Sequence, residues 1–105
     1  MKSILQPERD RCFLCGRNGF TDPLDCHHVF FGGAYRKWAD KFGLTVYLCH
    51  DRCHETGENA VHRNAVVCRK LQRYAQRKAM RHYGWSVEQF RQMFGRNYLE
   101  GDEES

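Results

Sequence analysis

The chain has 105 residues, of which 41% are hydrophobic, and it carries six cysteines and six histidines. This length fits one domain with a small core, and no apolar run approaches the roughly 18 residues that a membrane-spanning helix needs. Residues 1–10 are polar and lack the apolar stretch of a secretory signal. We therefore expect a cytoplasmic protein whose cysteines bind metal rather than form disulfides.

The charge is distributed unevenly along the chain. The net charge is +4, but residues 100–105 carry four acids and no base, which leaves residues 1–99 with 17 basic and 9 acidic side chains. A basic body with an acidic tail favours a polyanionic partner, foremost a nucleic acid, and ordinary solubility charge is the alternative. We expect the tail to be disordered.

Four cysteines occur in two pairs with the spacing of zinc knuckles: Cys12, Cys15, Cys49 and Cys53. Two such pairs bind one Zn²⁺ tetrahedrally, so the pattern predicts a closed structural zinc site that stabilises the fold. The second pair is one residue wider than Cys-x-x-Cys, which leaves open whether His50 or His54 replaces a cysteine. Cys26 and Cys68 remain, and we interpret them as packing residues or free thiols.

Hydrophobic patterning predicts a small α+β fold. Residues 25–31 and residues 44–48 are rich in β-branched and aromatic side chains, which predicts two strands. Between them, residues 34–42 carry aromatic side chains at helical spacing, which predicts a short helix or an ordered loop. These aromatic residues are Tyr35, Trp38 and Phe42.

Two further helices are predicted in the C-terminal half. Residues 63–83 contain no proline or glycine and carry an apolar stripe, so they predict a long helix that ends before Gly84. Ser86 and Gln89 have the spacing of a capping box, which predicts a second, short helix that ends at Gly95.

The histidines are the sharper functional signal. His27 and His28 are adjacent at the first predicted strand, His54 follows the second cysteine pair, and His62 begins the long helix. Neighbouring residues of a strand face opposite sides, so one of the first two can bind metal while the other acts as a general base. A base that titrates near pH 6.5 and a bound cation together suit phosphodiester hydrolysis. The alternative is zinc ligands or core histidines without a catalytic task.

The order of these motifs resembles the HNH endonucleases, also called ββα-metal or His-Me finger nucleases. The matching elements are Cys-x-x-Cys, His-His-Val at a strand, Leu-Cys-x-x-x-Cys-His, and Val-His at a helix, over residues 12–74. The resemblance is closest to the small phage and prophage members of the family. It implies a zinc-stapled, treble-clef-like ββα-metal finger with a two-stranded hairpin, and a metal-dependent DNA endonuclease.

The resemblance also implies a domain layout. Residues 1–83 would form the nuclease domain with its zinc knuckles and long helix. Residues 84–99 would form a helical extension packed on it, and residues 100–105 the acidic tail.

The resemblance assigns roles to individual histidines. It implies that His28 is the general base that activates water and that His27 binds the catalytic metal beside it. His54 and His62 lie where the family takes its further metal ligands, and the sequence leaves open whether one or both bind. The candidates for the catalytic ion are Mn²⁺, Ni²⁺, Co²⁺, Zn²⁺ and Mg²⁺. Imidazole ligands favour transition metals, so we expect Mn²⁺, Ni²⁺ or Co²⁺ to support cleavage at least as well as Mg²⁺.

The chain departs from the family at the middle asparagine, which orients the general base. Residues 43–47, where that asparagine is expected, contain none. The orienting role would then pass to a backbone carbonyl, to Thr45 or to Asn59.

Basic residues outside the histidine motifs are expected to contact DNA phosphates. They are Arg36 and Lys37 between the strands, and Arg69, Arg73 and Arg77 at four-residue spacing along the long helix. A solvated helix face is the alternative for the arginine stripe. The expected partner is duplex or branched DNA, and the phage resemblance adds replication, recombination or packaging proteins. A homodimer is one way in which single-strand cuts become double-strand cuts.

Two other functions compete with the nuclease. The first is a nucleic-acid-binding zinc module that has lost catalysis, which the missing asparagine favours. The second is a zinc-stapled interaction protein whose Phe90, Phe94 and Tyr98 dock on a partner. Exposure of these aromatic residues would favour that interpretation, and burial would weaken it.

Overall fold

The computed structural model describes residues 2–99, and these form a small α+β fold with a two-stranded antiparallel sheet. In chain order the elements are β1 (Leu24–His28), α1 (Tyr35–Lys41), β2 (Thr45–Cys49), a π-helical turn (His50–Glu55), α2 (Ala65–Tyr83) and α3 (Val87–Phe94). The α+β prediction is confirmed at this level. None of the helices in residues 2–99 combines the length and the apolar character needed to cross a membrane. The predicted acidic tail lies outside the described residues.

The sheet pairs β1 with β2 so that Leu24 faces Cys49 and His28 faces Thr45. The prediction that the first strand continues to residue 31 was wrong at its end. Val29 and Phe30 are consecutive and both fully buried, at 0% and 1% exposure, so the alternation of a two-faced strand stops after His28. Gly32 then adopts a positive φ of 88° and turns the chain towards α1.

The predicted helices are present, and the largest shift of a boundary is at the start of α2. α2 begins at Ala65 rather than at residue 63, because the side chain of Asn64 accepts hydrogen bonds from the backbone N–H groups of Val66 and Val67 and so caps the helix. His62 therefore lies in the preceding loop and not in the helix. The capping box of α3 is confirmed, since Ser86 and Gln89 exchange both side-chain to backbone hydrogen bonds.

The core lies between the sheet, α2 and α3. Phe30 packs its ring 5.3 Å from the ring of Phe90 and 4.8 Å from that of Phe94, and all three are at most 1% exposed. Tyr98 is half-buried and lies 5.1 Å from the ring of Phe30. Because these aromatic side chains fill the core, they are not available as a docking surface, which argues against the interaction-protein interpretation.

The last described residues fold back onto α2. Gln76 is fully buried and donates from Nε2 to Oδ1 of Asn97 over 2.8 Å, while its Oε1 accepts from the backbone N–H of Tyr98 over 2.7 Å. Arg73 donates from Nε to the carbonyl of Tyr98 over 3.1 Å. These contacts satisfy a buried amide and fix residues 97–98 beside the core.

Candidate metal centres

The two cysteine pairs converge on one point at the edge of the sheet. Their sulfur atoms all lie within 4.8 Å of one another: Cys12, Cys15, Cys49 and Cys53. The sulfurs of Cys15 and Cys49 are 3.6 Å apart. A disulfide requires about 2.05 Å, whereas two thiolates on one tetrahedral Zn²⁺ lie about 3.8 Å apart, given Zn–S bonds of about 2.3 Å. The cluster is therefore positioned to bind a metal such as zinc, as the spacing predicted.

The wider second knuckle is accommodated by the π-helical turn. This turn carries Cys53 and has Cys49 as its N-terminal cap. It closes through Gly57, whose backbone N–H donates to the carbonyl of Asp51 over 2.7 Å. A Cβ at Gly57 would lie 2.0 Å from the carbonyl oxygen of Arg52, so only glycine fits. Neither histidine of the turn replaces a cysteine in the cluster.

The pKa values of two of the thiols also fit a site for a cation. Burial acts to raise the pKa of Cys12, but backbone N–H groups around its sulfur outweigh it and lower that pKa to about 7. Burial and the neighbouring thiols raise the pKa of Cys49 to about 12. The thiolate form of Cys12 is thus stabilised locally, while Cys49 resists ionisation beside it. A bound cation removes this conflict, because it offsets the negative charge of several thiolates at once.

Three histidines form a second cluster, beside the four-cysteine one. His27 comes from β1, His54 from the π-helical turn and His62 from the loop before α2, and one ligand atom of each lies within 4.8 Å of the others. Their ring centroids are 4.8 to 5.2 Å apart. Backbone hydrogen bonds from Val61 to Cys53 and from His62 to His54 hold the loop against the turn.

His27 fits a metal ligand for a reason of its own. Its side chain is 3% exposed, and its Nε2 is a buried polar atom with no hydrogen-bond partner. An unpartnered buried polar group costs about 1–3 kcal/mol, and a metal–nitrogen bond would satisfy it. Burial, with the neighbouring His54 and His62, lowers the pKa of His27 to about 3. The ring is therefore neutral, which is the form that binds a metal.

A carboxylate lies against this cluster. Oδ2 of Asp25 accepts hydrogen bonds from Nδ1 of His54 over 2.9 Å and from Nδ1 of His50 over 2.6 Å. Burial acts to raise the pKa of Asp25, but these hydrogen bonds outweigh it and lower that pKa below its usual value. The hydrogen bond to Asp25 raises the pKa of His50. No pattern in the sequence indicated that His50 and His54 share this carboxylate.

His28 is not a member of the three-histidine cluster and has a different hydrogen-bond partner. Its Nε2 is 3.4 Å from Oδ1 of Asp40 on α1, and its side chain is 14% exposed. Thr45 and Asn59 are the two side chains that were predicted to orient His28. Thr45 faces His28 across the sheet, and Asn59 accepts a hydrogen bond from Asn64. Of the side chains in residues 2–99, Asp40 is therefore the one that contacts the ring as a hydrogen-bond partner. Sequence reasoning missed it, although its position one helical turn after Arg36 placed both on one face of α1.

A cleft of about 290 Å³ connects the three-histidine cluster with His28. It is lined by His27, His28, Phe31, Arg36, His54 and His62, among others. Phe31 is 40% exposed, and its ring lies 5.0 Å from that of His62 and 5.7 Å from that of His27. It was predicted as a strand residue and instead forms an apolar wall of this cleft.

The predicted DNA contacts divide into two groups. Arg36 and Lys37 are exposed and line a neighbouring cleft of about 450 Å³ with His28 and Asp40. Arg69 and Arg73 are half-buried against the fold-back segment, and Arg77 is exposed on the same helix. Neither cleft beside His28 is lined by these α2 arginines. The structure thus brings two of the five basic residues to the histidines.

No protein-family model, curated protein or solved structure matches this chain. The resemblance to the HNH endonucleases therefore rests on the residues themselves and remains a prediction.

Proposed function

We propose that this chain is a metal-dependent DNA endonuclease of the HNH type, built on a treble-clef-like ββα-metal finger. One observation carries the proposal. Three histidines from three separate elements converge on a cleft that His28 and Arg36 also line. Convergence of several titratable and basic groups in one cleft is the arrangement that hydrolysis of a phosphodiester requires.

Metal binding and base catalysis would be carried out by different histidines of the cleft. His27, His54 and His62 would hold a divalent cation, which supplies positive charge to the scissile phosphate and the leaving oxygen. His28 would act as the general base that takes a proton from the attacking water. Because a carboxylate accepts hydrogen bonds, Asp40 favours the tautomer of His28 with a proton on Nε2 and leaves Nδ1 as the basic atom. Asp40 thus supplies the orientation that the missing asparagine gives elsewhere in the family.

The proposal is tested by relaxation of supercoiled plasmid. We expect the protein, loaded with zinc at the four-cysteine site, to nick the plasmid with added Mn²⁺, Ni²⁺ or Co²⁺ at least as fast as with Mg²⁺, and to be inactive without an added ion. Activity with Mg²⁺ alone would argue against ligation by three histidines. Binding of duplex DNA without nicking by any ion would instead support the second candidate, a nucleic-acid-binding zinc module, which the absent asparagine favours.

Arg36 allows a separate test of DNA binding. It lines both clefts beside His28 and is exposed, so we expect it to contact a backbone phosphate. Arg36→Ala should weaken duplex binding and reduce the slope of log K against log salt by about 0.9, the value for one phosphate contact. Fluorescence anisotropy at several salt concentrations measures this slope.

The matched control is Arg91→Ala, which removes the same charge from α3, where Arg91 pairs with Glu88 over 2.7 Å. We expect this variant to keep the wild-type slope. An equal loss of slope in both variants would show that net charge, and not the cleft, governs binding.

A further inference from the structure

We propose that Asp25 is a positioning residue for the three-histidine site, because its carboxylate holds the ring of His54 by Nδ1 and thereby aims Nε2 at the metal. The inference rests on the proposed function only in assuming that this cluster binds a divalent ion. It concerns how the ion is held, which is measurable without DNA.

The geometry of His54 supports this role. Its Nδ1 lies 2.9 Å from Oδ2 of Asp25, and the Oε2 of Glu55 is more distant at 3.3 Å. An ionised carboxylate only accepts hydrogen bonds, so Nδ1 carries the proton. Nε2 is then the ring's unprotonated nitrogen, the atom free to bind a metal. Carboxylate partners of this kind fix the tautomer and raise the basicity of the histidine ligands they contact.

β1 places Asp25 for this task. Asp25 and His27 are two residues apart and therefore lie on the same face of the strand. One strand thus supplies a metal ligand together with the carboxylate that orients a second ligand. His28 lies on the opposite face and contacts Asp40 instead, so the two carboxylates serve different histidines.

His50 is a second, more exposed histidine that contacts the carboxylate of Asp25. Its Nδ1 lies 2.6 Å from the same Oδ2, and its side chain is 52% exposed. These distances argue against a second metal site at Asp25, His50 and His54. Two ligands on one tetrahedral ion, at about 2.0–2.1 Å from it, lie about 3.3 Å apart. The contacts here are direct hydrogen bonds, and His50 holds the carboxylate in place.

The test measures Co²⁺ binding by calorimetry to protein that already carries zinc at the four cysteines. We expect one Co²⁺ per chain in the wild type, and Asp25→Asn should weaken its binding about 10- to 100-fold. Asp51→Asn is the matched control, because Asp51 is 70% exposed, lies 3.8 Å from Nε2 of His50 and is not among the carboxylates paired with His54, which are Asp25 and Glu55. It should bind Co²⁺ like the wild type, and His50→Ala should keep a stoichiometry of one.

A second measurement keeps the inference testable without any metal. Nitrogen chemical shifts of the histidine rings report the tautomer, and we expect His54 to carry its proton on Nδ1 in the wild type. In Asp25→Asn the Nδ1-protonated tautomer of His54 should no longer be the major form, whereas in Asp51→Asn it should remain the major form. A variant that is merely less stable would not produce this change in one ring.

Several results would overturn the inference. Wild-type Co²⁺ affinity in Asp25→Asn would do so, and so would an unchanged His54 tautomer. Binding of two Co²⁺ ions, one of which His50→Ala removes, would replace it with a second metal site. Two other failures have different signatures. If the three histidines bind no ion, His27→Ala and His62→Ala will bind Co²⁺ as the wild type does, and if only the nuclease proposal fails, the wild type will bind Co²⁺ at this cluster without nicking plasmid.

Discussion

Removing zinc from the four-cysteine site is expected to unfold the whole chain and not one loop. Cys12, Cys49 and Cys53 are at most 5% exposed and belong to the hydrophobic core. Structural zinc contributes about 10–16 kcal/mol of binding free energy in small zinc domains, which matches or exceeds the roughly 5–15 kcal/mol by which small proteins are stable. Without the ion, the buried thiols would also lose the charge that stabilises their ionised form.

The measurement is far-ultraviolet circular dichroism during treatment with a strong chelator. Helical signal from α2 and α3 should be lost and should return when Zn²⁺ is added. Cys53→Ser should show the same loss without chelator. Cys26→Ser is the control, because Cys26 is exposed and lies outside the four-cysteine cluster, and it should keep the wild-type unfolding temperature. A zinc-free protein that still unfolds cooperatively at the wild-type temperature would refute the prediction.

The features that the sequence predicted well are those set by local spacing. The capping box at Ser86 and Gln89 and the two cysteine pairs depend on residues a few positions apart, and the structure has them as expected. The first strand was predicted too long because Val29 and Phe30 keep strand-like composition while the chain leaves the sheet. Burial of two consecutive side chains is a tertiary outcome, and composition does not encode it.

The same distinction between local spacing and tertiary packing applies to the candidate site. The motif order marked the three clustered histidines, and His27, His54 and His62 do lie together. The carboxylate partners were not predictable, since the contact of Asp25 with His50 spans 25 positions and that of Asp40 with His28 depends on how α1 packs. Such contacts follow from the path of the π-helical turn and the angle of one short helix, for which no local pattern exists.

His28→Ala is expected to reduce plasmid nicking by about 10²- to 10⁴-fold, the contribution typical of a general base. Its Nε2 contacts Asp40 and not the three-histidine cluster, so the variant should bind Co²⁺ like the wild type. Duplex affinity should also persist, because Arg36 and Lys37 remain in place. This combination separates a base from a ligand, since loss of a ligand would weaken metal binding together with nicking.

Two variants sharpen this test. His82→Ala removes an exposed histidine at the end of α2 and should leave nicking unchanged. Asp40→Asn should give an intermediate loss, because an amide fixes the Nε2-protonated tautomer of His28 less firmly than a carboxylate does. Wild-type nicking by His28→Ala would remove this residue from the mechanism. Loss of Co²⁺ binding in the same variant would instead assign His28 to the metal, and the base would then have to come from elsewhere in the cleft.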